Sequence, residues 1–253
     1  MIKDLLSTVK GNREIAESVY MITLTLPESA GQLHGGQFVN LATGNDALLL
    51  RRPLGVCITE GNDLSVCYQV KGKGTQRLTE AKAGDKLKVL LPLGNYFDLS
   101  KYKKVAVVGG GVGVFPLIAT VRENTGKEFY SYIGFRNAKA ACLTEEFEKV
   151  GKLTVTTDDG SMGLKGNAVD AYLADADKIN ADAIIACGPP IMLRILKERL
   201  SERGNKIPCF VSLEERMGCG IGACLVCACK TSDGKNARVC KDGPVFEINK
   251  VVL

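Results

Sequence analysis

The 253-residue chain holds a single histidine, His34, and that scarcity removes whole classes of chemistry. Multi-histidine metal sites are excluded, and hydrolytic chemistry centred on histidine becomes a poor expectation. Long apolar runs are missing too: nowhere do about 18 uncharged apolar residues follow one another, so no membrane span is expected. The N-terminal Met1-Ile2-Lys3-Asp4 shows no apolar signal core before a cleavage site, and the chain reads as cytoplasmic and reduced. Charge of one sign is not concentrated either. The 33 Lys+Arg against 28 Asp+Glu leave a formal +5. The basic residues are scattered, with pairs such as Lys103-Lys104 reading as solvated surface, so no nucleic-acid footprint follows.

What is present is ordinary globular material with one unusual feature. Hydrophobic residues at 45%, charged residues at 24%, 28 Gly and 8 Pro exclude disorder, collagen and low-complexity scaffolds. The length exceeds the usual one-domain size, which predicts two medium domains or two with a small appendage. The unusual feature is ten cysteines, of which Cys219, Cys224, Cys227, Cys229 and Cys240 crowd near the end. In a reducing compartment, clustered thiols mean metal or redox work rather than disulfide staples.

Up to about residue 98 the pattern is alternating. Tyr20, Ile22, Leu24 and Leu26 share one face of a strand that Pro27 ends, and similar runs occur at 37–41, 64–70 and 86–90 between Gly-, Asn- and Asp-bearing turns. This predicts an antiparallel barrel or sandwich. At Lys104 the texture changes, because Val105-Ala106-Val107-Val108 runs unbroken into glycines, as a buried parallel strand would. Strand-like runs at 129–134, 153–157 and 183–187 then alternate with helical stretches at 115–124 and 191–203, the latter followed by Gly204 as C-cap. After Pro208 the chain is Gly- and Cys-rich and closes with a strand-like Val245-Phe246-Glu247-Ile248. The expected divisions are 1–100, 101–207 and 208–253.

Cys219-x4-Cys224-x2-Cys227-x12-Cys240 is the plant-type spacing of a 2Fe-2S cluster, with three thiolates on one tight loop and the fourth returning later. The small residues of Gly218-Cys219-Gly220-Ile221-Gly222-Ala223-Cys224 let the backbone wrap closely and aim N–H groups at sulfur. Cys229 is the spare, at the wrong interval for a second chelating pair, and is expected to pack as a small hydrophobe. The competing reading is a four-thiolate zinc site, although zinc knuckles usually show two separated pairs.

Gly109-Gly110-Gly111-Val112-Gly113 follows a strand and opens a helix, where glycines let phosphate approach backbone N–H groups. It departs from the dinucleotide fingerprint at Pro116, where a third glycine is required, and a tight turn without a ligand is the plain alternative. Cys187-Gly188-Pro189-Pro190 provides a second small-residue turn at a later strand end.

Taken in order, these features resemble the ferredoxin reductase family: a flavin β-barrel, then a nicotinamide domain with G-G-G-x-G-x-x-P and C-G-P motifs. The tail narrows the resemblance. Ser212-Leu213-Glu214-Glu215-Arg216-Met217-Gly218-Cys219, with Arg238-Val239-Cys240-Lys241-Asp242-Gly243-Pro244, is similar to electron transfer subunits of B-type dihydroorotate dehydrogenases. The resemblance covers essentially the whole chain and implies a multi-domain β plus α/β fold: an N-terminal antiparallel flavin barrel, a ferredoxin reductase-like nicotinamide domain and a small C-terminal 2Fe-2S domain.

By that resemblance Arg52, Pro53, Leu54 and Gly55 stand for the flavin motif R-P-L-S, with Arg52 on the FAD pyrophosphate, for which a guanidinium fork suits two anionic oxygens. Gly55 departs from the usual Ser, so a hydroxyl contact is lost or replaced by backbone. Tyr68, Gln69 and Val70 stand for the strand beside the isoalloxazine, and Gly74 and Thr75 for the phosphate turn, with Thr75 expected as N-cap of a helix from Gln76. Each has a plain alternative: Arg51 and Arg52 as surface charge, Tyr68 as barrel core, Gly74 as a turn. Sequence does not apportion phosphate binding between Arg51 and Arg52. Gly110, Gly111, Gly113, Cys187 and Gly188 would hold NAD, with a buried structural thiol as the alternative for Cys187. Asp158 and Asp159, with no Arg nearby, favour NAD over NADP, and His34 is expected to be a loop residue without chemistry.

The implied function is a two-electron to one-electron converter with FAD, a 2Fe-2S cluster and NAD as substrate, requiring no general acid or base on this chain. The resemblance further implies a catalytic partner subunit holding FMN that oxidises dihydroorotate to orotate, a heterotetramer of two chains of each kind, and a role in pyrimidine biosynthesis. Two alternatives stand beside it. One is the small subunit of an NADH-dependent ferredoxin:NADP oxidoreductase or sulfide dehydrogenase, where one ligand is often Asp. The other is a zinc-stapled or redox-sensing binding module.

Overall fold

Alternating side chains in the first third of the chain fold into antiparallel strands because period two sends one set inward and the other to solvent. The computed structural model describes residues 1–27, 30–45 and 47–253. The strands are β1 (Lys3–Ala16), β2 (Val19–Thr25), β3 (Phe38–Leu41), β4 (Arg52–Glu60), β5 (Asp63–Gln69) and, after the short helix α1 (Lys73–Leu78), β6 (Lys86–Leu93). Among the described residues they close into a barrel in the order β1-β2-β5-β4-β3-β6. Ile22, Leu24, Leu64 and Val66 fill its interior. β1 has no regular alternation in sequence because its ladder with β2 shifts register at two places, Val9/Gly11 and Glu14/Ala16. Each such bulge flips the inward and outward sets.

The unbroken apolar run becomes β7 (Lys104–Gly110), followed by α2 (Val114–Glu123), β8 (Glu128–Phe135), α3 (Glu145–Glu148), β9 (Gly151–Thr157), β10 (Leu164–Lys165), α4 (Ala168–Ile179), β11 (Ala183–Cys187), α5 (Pro190–Glu202) and β12 (Cys209–Ser212). The tail adds a hairpin of β13 (Ala228–Lys230) and β14 (Asn236–Arg238), then β15 (Val245–Glu247). Among the described residues the second sheet runs β10-β9-β8-β7-β11-β12-β15. All its pairs are parallel except the last, in which β15 lies antiparallel to β12. The cysteine-rich segment is thus an excursion between two adjacent strands of this sheet.

Successive strands step away from β7 on one side, and the chain then returns to lay β11 and β12 on the other. The crevice between β7 and β11 is therefore the topological switch point, at the carboxyl ends of the strands. α2 leaves this point and packs on barrel strand β4. A continuous buried cluster joins Val19, Cys57 and Cys67 of the barrel to Phe115, Leu117 and Ile118 of α2. Among the described residues no helix is long and apolar enough to cross a membrane.

Candidate functional site

A cleft opens where barrel, α/β sheet and cysteine-rich excursion meet, with about 960 Å³ of empty space, its open mouth included. The barrel wall carries Pro53, Leu54, Gly55, Tyr68, Gln69 and Thr75; the opposite wall carries Val112, Pro116 and Cys187. The floor is formed by the excursion, including Glu214 and Met217. Of the cofactor residues singled out by sequence, Arg52, Val70, Gly74, Gly110, Gly111, Gly113 and Gly188 lie outside the cleft lining.

Arg52 and Gly74 touch. A Cβ on Gly74 would stand 2.3 Å from Arg52 Nε and 2.6 Å from its Cζ, so glycine is what lets the guanidinium lie over the start of α1. Arg52 Nη2 donates to Leu50 O at 2.7 Å. Its Nε is buried with no hydrogen-bond partner among the described residues. A buried, unpaired guanidinium donor fits an anionic group such as a pyrophosphate. The neighbouring arginine is committed elsewhere, since Arg51 grips Asp4 with two bonds of 2.8 and 2.7 Å.

Thr75 differs from its expected place. α1 begins at Lys73, so Thr75 is its third residue, not the cap. Its Oγ1 reaches back to accept from Lys71 N at 2.9 Å and Gly72 N at 3.2 Å, satisfying otherwise orphaned donors. Tyr68 is 2% exposed, stacks on Tyr20 and donates its hydroxyl to Asn12 Oδ1 at 3.1 Å; burial pushes its pKa up to about 12. It is therefore both barrel core and cleft wall. Gln69 pairs with Val19 in the β2–β5 ladder, and Val70 N donates to Ser18 O at 2.9 Å. A Cβ on Gly55 would come 2.9 Å from Pro116 Cγ, so the barrel meets α2 at this bare position.

The two glycine turns come together at the switch point. Cys187 pairs with Gly109 across β7 and β11, and a Cβ on Gly113 would lie 2.5 Å from both the carbonyl carbon of Cys187 and the nitrogen of Gly188. Gly110 is closed off by Met192, whose Sδ stands 2.6 Å from its ideal Cβ, while Gly111 faces open space at φ 53°. Cys187 is 1% exposed, and burial pushes its thiol up. At the end of β9, Asp159 Oδ1 accepts from Ser161 N and Oγ at 2.9 and 2.6 Å, and Asp158 N donates to Phe135 O. His34 lies at the C-terminal end of α2, stacked on Tyr96 with Nδ1 3.2 Å from Glu123 Oε2.

Five backbone N–H groups point at the four cysteine sulfurs. Ile221 N and Ala223 N approach Cys219 Sγ at 3.5 and 3.3 Å, Cys219 N approaches Cys224 Sγ at 3.4 Å, Gly222 N approaches Cys240 Sγ at 3.1 Å, and Cys240 N approaches Cys227 Sγ at 3.4 Å. The positive φ of Gly222, 83°, turns its amide inward. These contacts associate the thiols as two pairs, Cys219 with Cys224 and Cys227 with Cys240. Burial opposes ionisation of Cys219, yet the amides of Ile221, Cys224 and Ala223 bring its pKa down to about 6. Burial, together with the adjoining Cys227 thiol, carries Cys240 up to about 12. Donors already aimed at sulfur are what a thiolate-held cluster needs. Among the described residues no group of three His, Cys, Asp or Glu side chains is arranged to hold a single metal ion. Cys229 is half-buried on β13, outside both pairs, with burial raising its thiol.

Sequence reasoning did not anticipate four further residues. Phe38 and Met217 line the cleft and also belong to the buried cluster that holds Cys227 and Cys240. Lys71 and Glu214 both line the cleft, and burial raises the Glu214 carboxyl while Lys71 opposes the rise. Chain-remote neighbours of this kind leave no local pattern.

The comparisons with known proteins follow this geometry. A family model for the iron–sulfur cluster binding domain of dihydroorotate dehydrogenase B matches residues 214–252, the excursion and its closing strand. The solved structure of an NADH-dependent reduced ferredoxin-NADP oxidoreductase superposes with TM-score 0.85 at 31% identity, over 97% of this chain and 89% of that one. The electron transfer subunit of dihydroorotate dehydrogenase B (NAD(+)) from Streptococcus mutans is 38% identical over 97% of both chains. Its counterpart from Bacillus caldolyticus is 40% identical over the same shares. Matched at 38% and 40% identity along 97% of both lengths, the chain belongs to the family of dihydroorotate dehydrogenase B electron transfer subunits.

Proposed function

We propose that this chain is the electron-transfer component of an NAD+-linked dihydroorotate dehydrogenase, turning single electrons received at its four cysteines into a hydride delivered to NAD+. Its cofactors are FAD and a 2Fe-2S cluster, with NAD as substrate. Bound FAD supplies the chemistry that joins the two ends, because a flavin exchanges either one electron or two. The protein's own work is to bind, orient and insulate. Arg52 offers its unpaired donor to the pyrophosphate beside Gly74 and Thr75, and Pro53, Leu54, Gly55, Tyr68, Gln69 and Val70 shape the barrel wall. Gly110, Gly111, Gly113, Cys187 and Gly188 form the nicotinamide crevice, and Cys219, Cys224, Cys227 and Cys240 hold the irons.

One observation carries the reading: Phe38 and Met217 form part of the cleft wall and of the packing around Cys227 and Cys240. The same side chains therefore line the cleft and pack against the inner pair of thiols. The outer pair, Cys219 and Cys224, is more exposed, and beside it stand Ile221, Leu225 and Val226 at 46%, 62% and 55% exposure. That apolar rim is suited to a partner surface. The partner is a catalytic subunit that holds FMN and oxidises dihydroorotate, in an assembly of two chains of each kind, in the cytoplasm, serving pyrimidine biosynthesis. The functional divisions are 1–100 for FAD, 101–207 for NAD and 208–253 for the cluster.

Purified chain should carry iron, acid-labile sulfide and FAD, and NADH should bleach its visible spectrum. Tagged chain should bring down an FMN-containing partner that lets dihydroorotate reduce the assembly. Colourless protein with one zinc per chain, or an assembly that dihydroorotate never reduces, refutes the reading.

A further inference from the structure

Electrons that arrive through cysteine thiolates bring no protons, whereas each hydride given to NAD+ contains one (2 e− + H+ + NAD+ → NADH). One proton per NADH must therefore enter the cleft by a separate route. Among the described residues, the titratable side chains lining the cleft are Cys67, Tyr68, Lys71, Cys187, Glu214 and Glu215. The Cys57 thiol and burial together raise Cys67, and burial raises Tyr68 and Cys187, so all three keep their protons through the neutral range. Glu215 is sensed by Cys229, which lies on the cluster side rather than at the nicotinamide crevice.

Glu214 has the opposite placement. Ser212, two residues before it, pairs with Cys187 across β11 and β12, which sets Glu214 beside the nicotinamide crevice, where Cys187 feels its charge. Lys71 acts on it from the barrel side. The side chain remains accessible through the open mouth of the cleft. Enclosure raises its pKa above that of an ordinary glutamate, so it holds a proton further toward neutrality.

We propose that Glu214 is the proton donor of the cleft, releasing one proton for each NADH formed, becoming a carboxylate, and being reprotonated by water at the mouth. This rests on the electron-transfer reading above. The electrons come from the cluster, the proton from the Glu214 O–H bond, and both leave together on NAD+.

The test uses holo-subunit with FAD and iron contents verified, as wild type, Glu214→Gln and Glu214→Asp. Oxidised-minus-reduced infrared spectra of the wild type should contain a protonated-carboxyl band that moves in D2O, is absent in Glu214→Gln and returns shifted in Glu214→Asp. Single-turnover reduction of NAD+ by pre-reduced protein should slow about 10²- to 10⁴-fold in Glu214→Gln and lose its pH dependence, with partial recovery in Glu214→Asp. A Glu214→Gln protein with full cofactor content and a wild-type rate and pH profile, or with the carboxyl band intact, overturns the proposal. A wild-type holo-subunit that never reduces NAD+ removes the electron-transfer reading, and the proposal with it.

Discussion

Arg52→Ala separates the two roles that a half-buried arginine can play. The guanidinium makes one bond to Leu50 O, and its buried Nε has no partner among the described residues. Truncation therefore removes an unsatisfied donor as well as a bond, and the two effects nearly offset in the apoprotein. With FAD bound, the same donor meets a phosphate oxygen. A hydrogen bond to a charged group contributes about 1.5–3 kcal/mol, so its loss weakens FAD binding by roughly 10- to 150-fold. The stabilisation that FAD confers on folding falls in step, because it follows the logarithm of ligand concentration over Kd. The assay is a titration of apoprotein with FAD followed by flavin fluorescence, paired with thermal unfolding with and without FAD. Arg51→Ala is the internal control. Arg51 is tied to Asp4, an exposed pair worth about 0–1 kcal/mol, and its removal should leave FAD affinity at the wild-type level. Wild-type FAD affinity in Arg52→Ala, or an equal loss in Arg51→Ala, would refute the reasoning.

Gly113→Ala drives a methyl to within 2.5 Å of backbone atoms of Cys187 and Gly188 that cannot yield as a flexible side chain would. It should destabilise the fold by about 1–3 kcal/mol and raise the KM for NADH while FAD and iron contents hold, as denaturant unfolding and steady-state kinetics would show. Cys240→Ser should lose iron and sulfide yet retain FAD, and full iron content in that variant would remove the four-cysteine assignment. Arg122→Met tests a bridge between barrel and α/β sheet, since Arg122 binds Glu60 at 2.7 Å and also grips Glu146. Burial pushes the Glu146 carboxyl up, but Lys149 and Arg122 hold it below the ordinary glutamate range. Its contribution is therefore present above the unfolded pKa of about 4.3 and is lost as pH falls through the folded value. The variant should be less stable by about 1–2 kcal/mol near neutrality, and the deficit should shrink on acidification. A deficit independent of pH would exclude the ion pair as its cause.

The parts of this molecule that sequence made legible are those whose physics is local. Period-two alternation located β2, β3, β5 and β6, an unbroken apolar run located β7, and the ligand spacing of the cysteines was readable because a tight loop must gather its thiolates within a few residues. β1 was hidden by its bulges. α4 was hidden because small Ala and charged Asp positions, with Val169, Tyr172 and Ile179 as its large buried residues, blunt the helical stripe. The cleft itself was half legible: motif order implied Arg52 and Tyr68, but that Arg51 is spent on Asp4 depends on a contact 47 positions away. Glu214 and Met217 stood in plain view within the tail motif, yet only the closure of β12 against β11 brings them to the cleft.

The pairing of β15 with β12 has a bearing on how the protein matures. Both feet of the cysteine-bearing excursion are nailed to one sheet edge, and Asn95 of the barrel secures the second foot by exchanging two bonds of 2.8 Å with the backbone of Val245. The cysteines thus sit in a hoop fastened at both ends, not on a dangling strip. A chain cut short before Val245 would open that hoop, and the sulfur ligands would then have to find one another unaided.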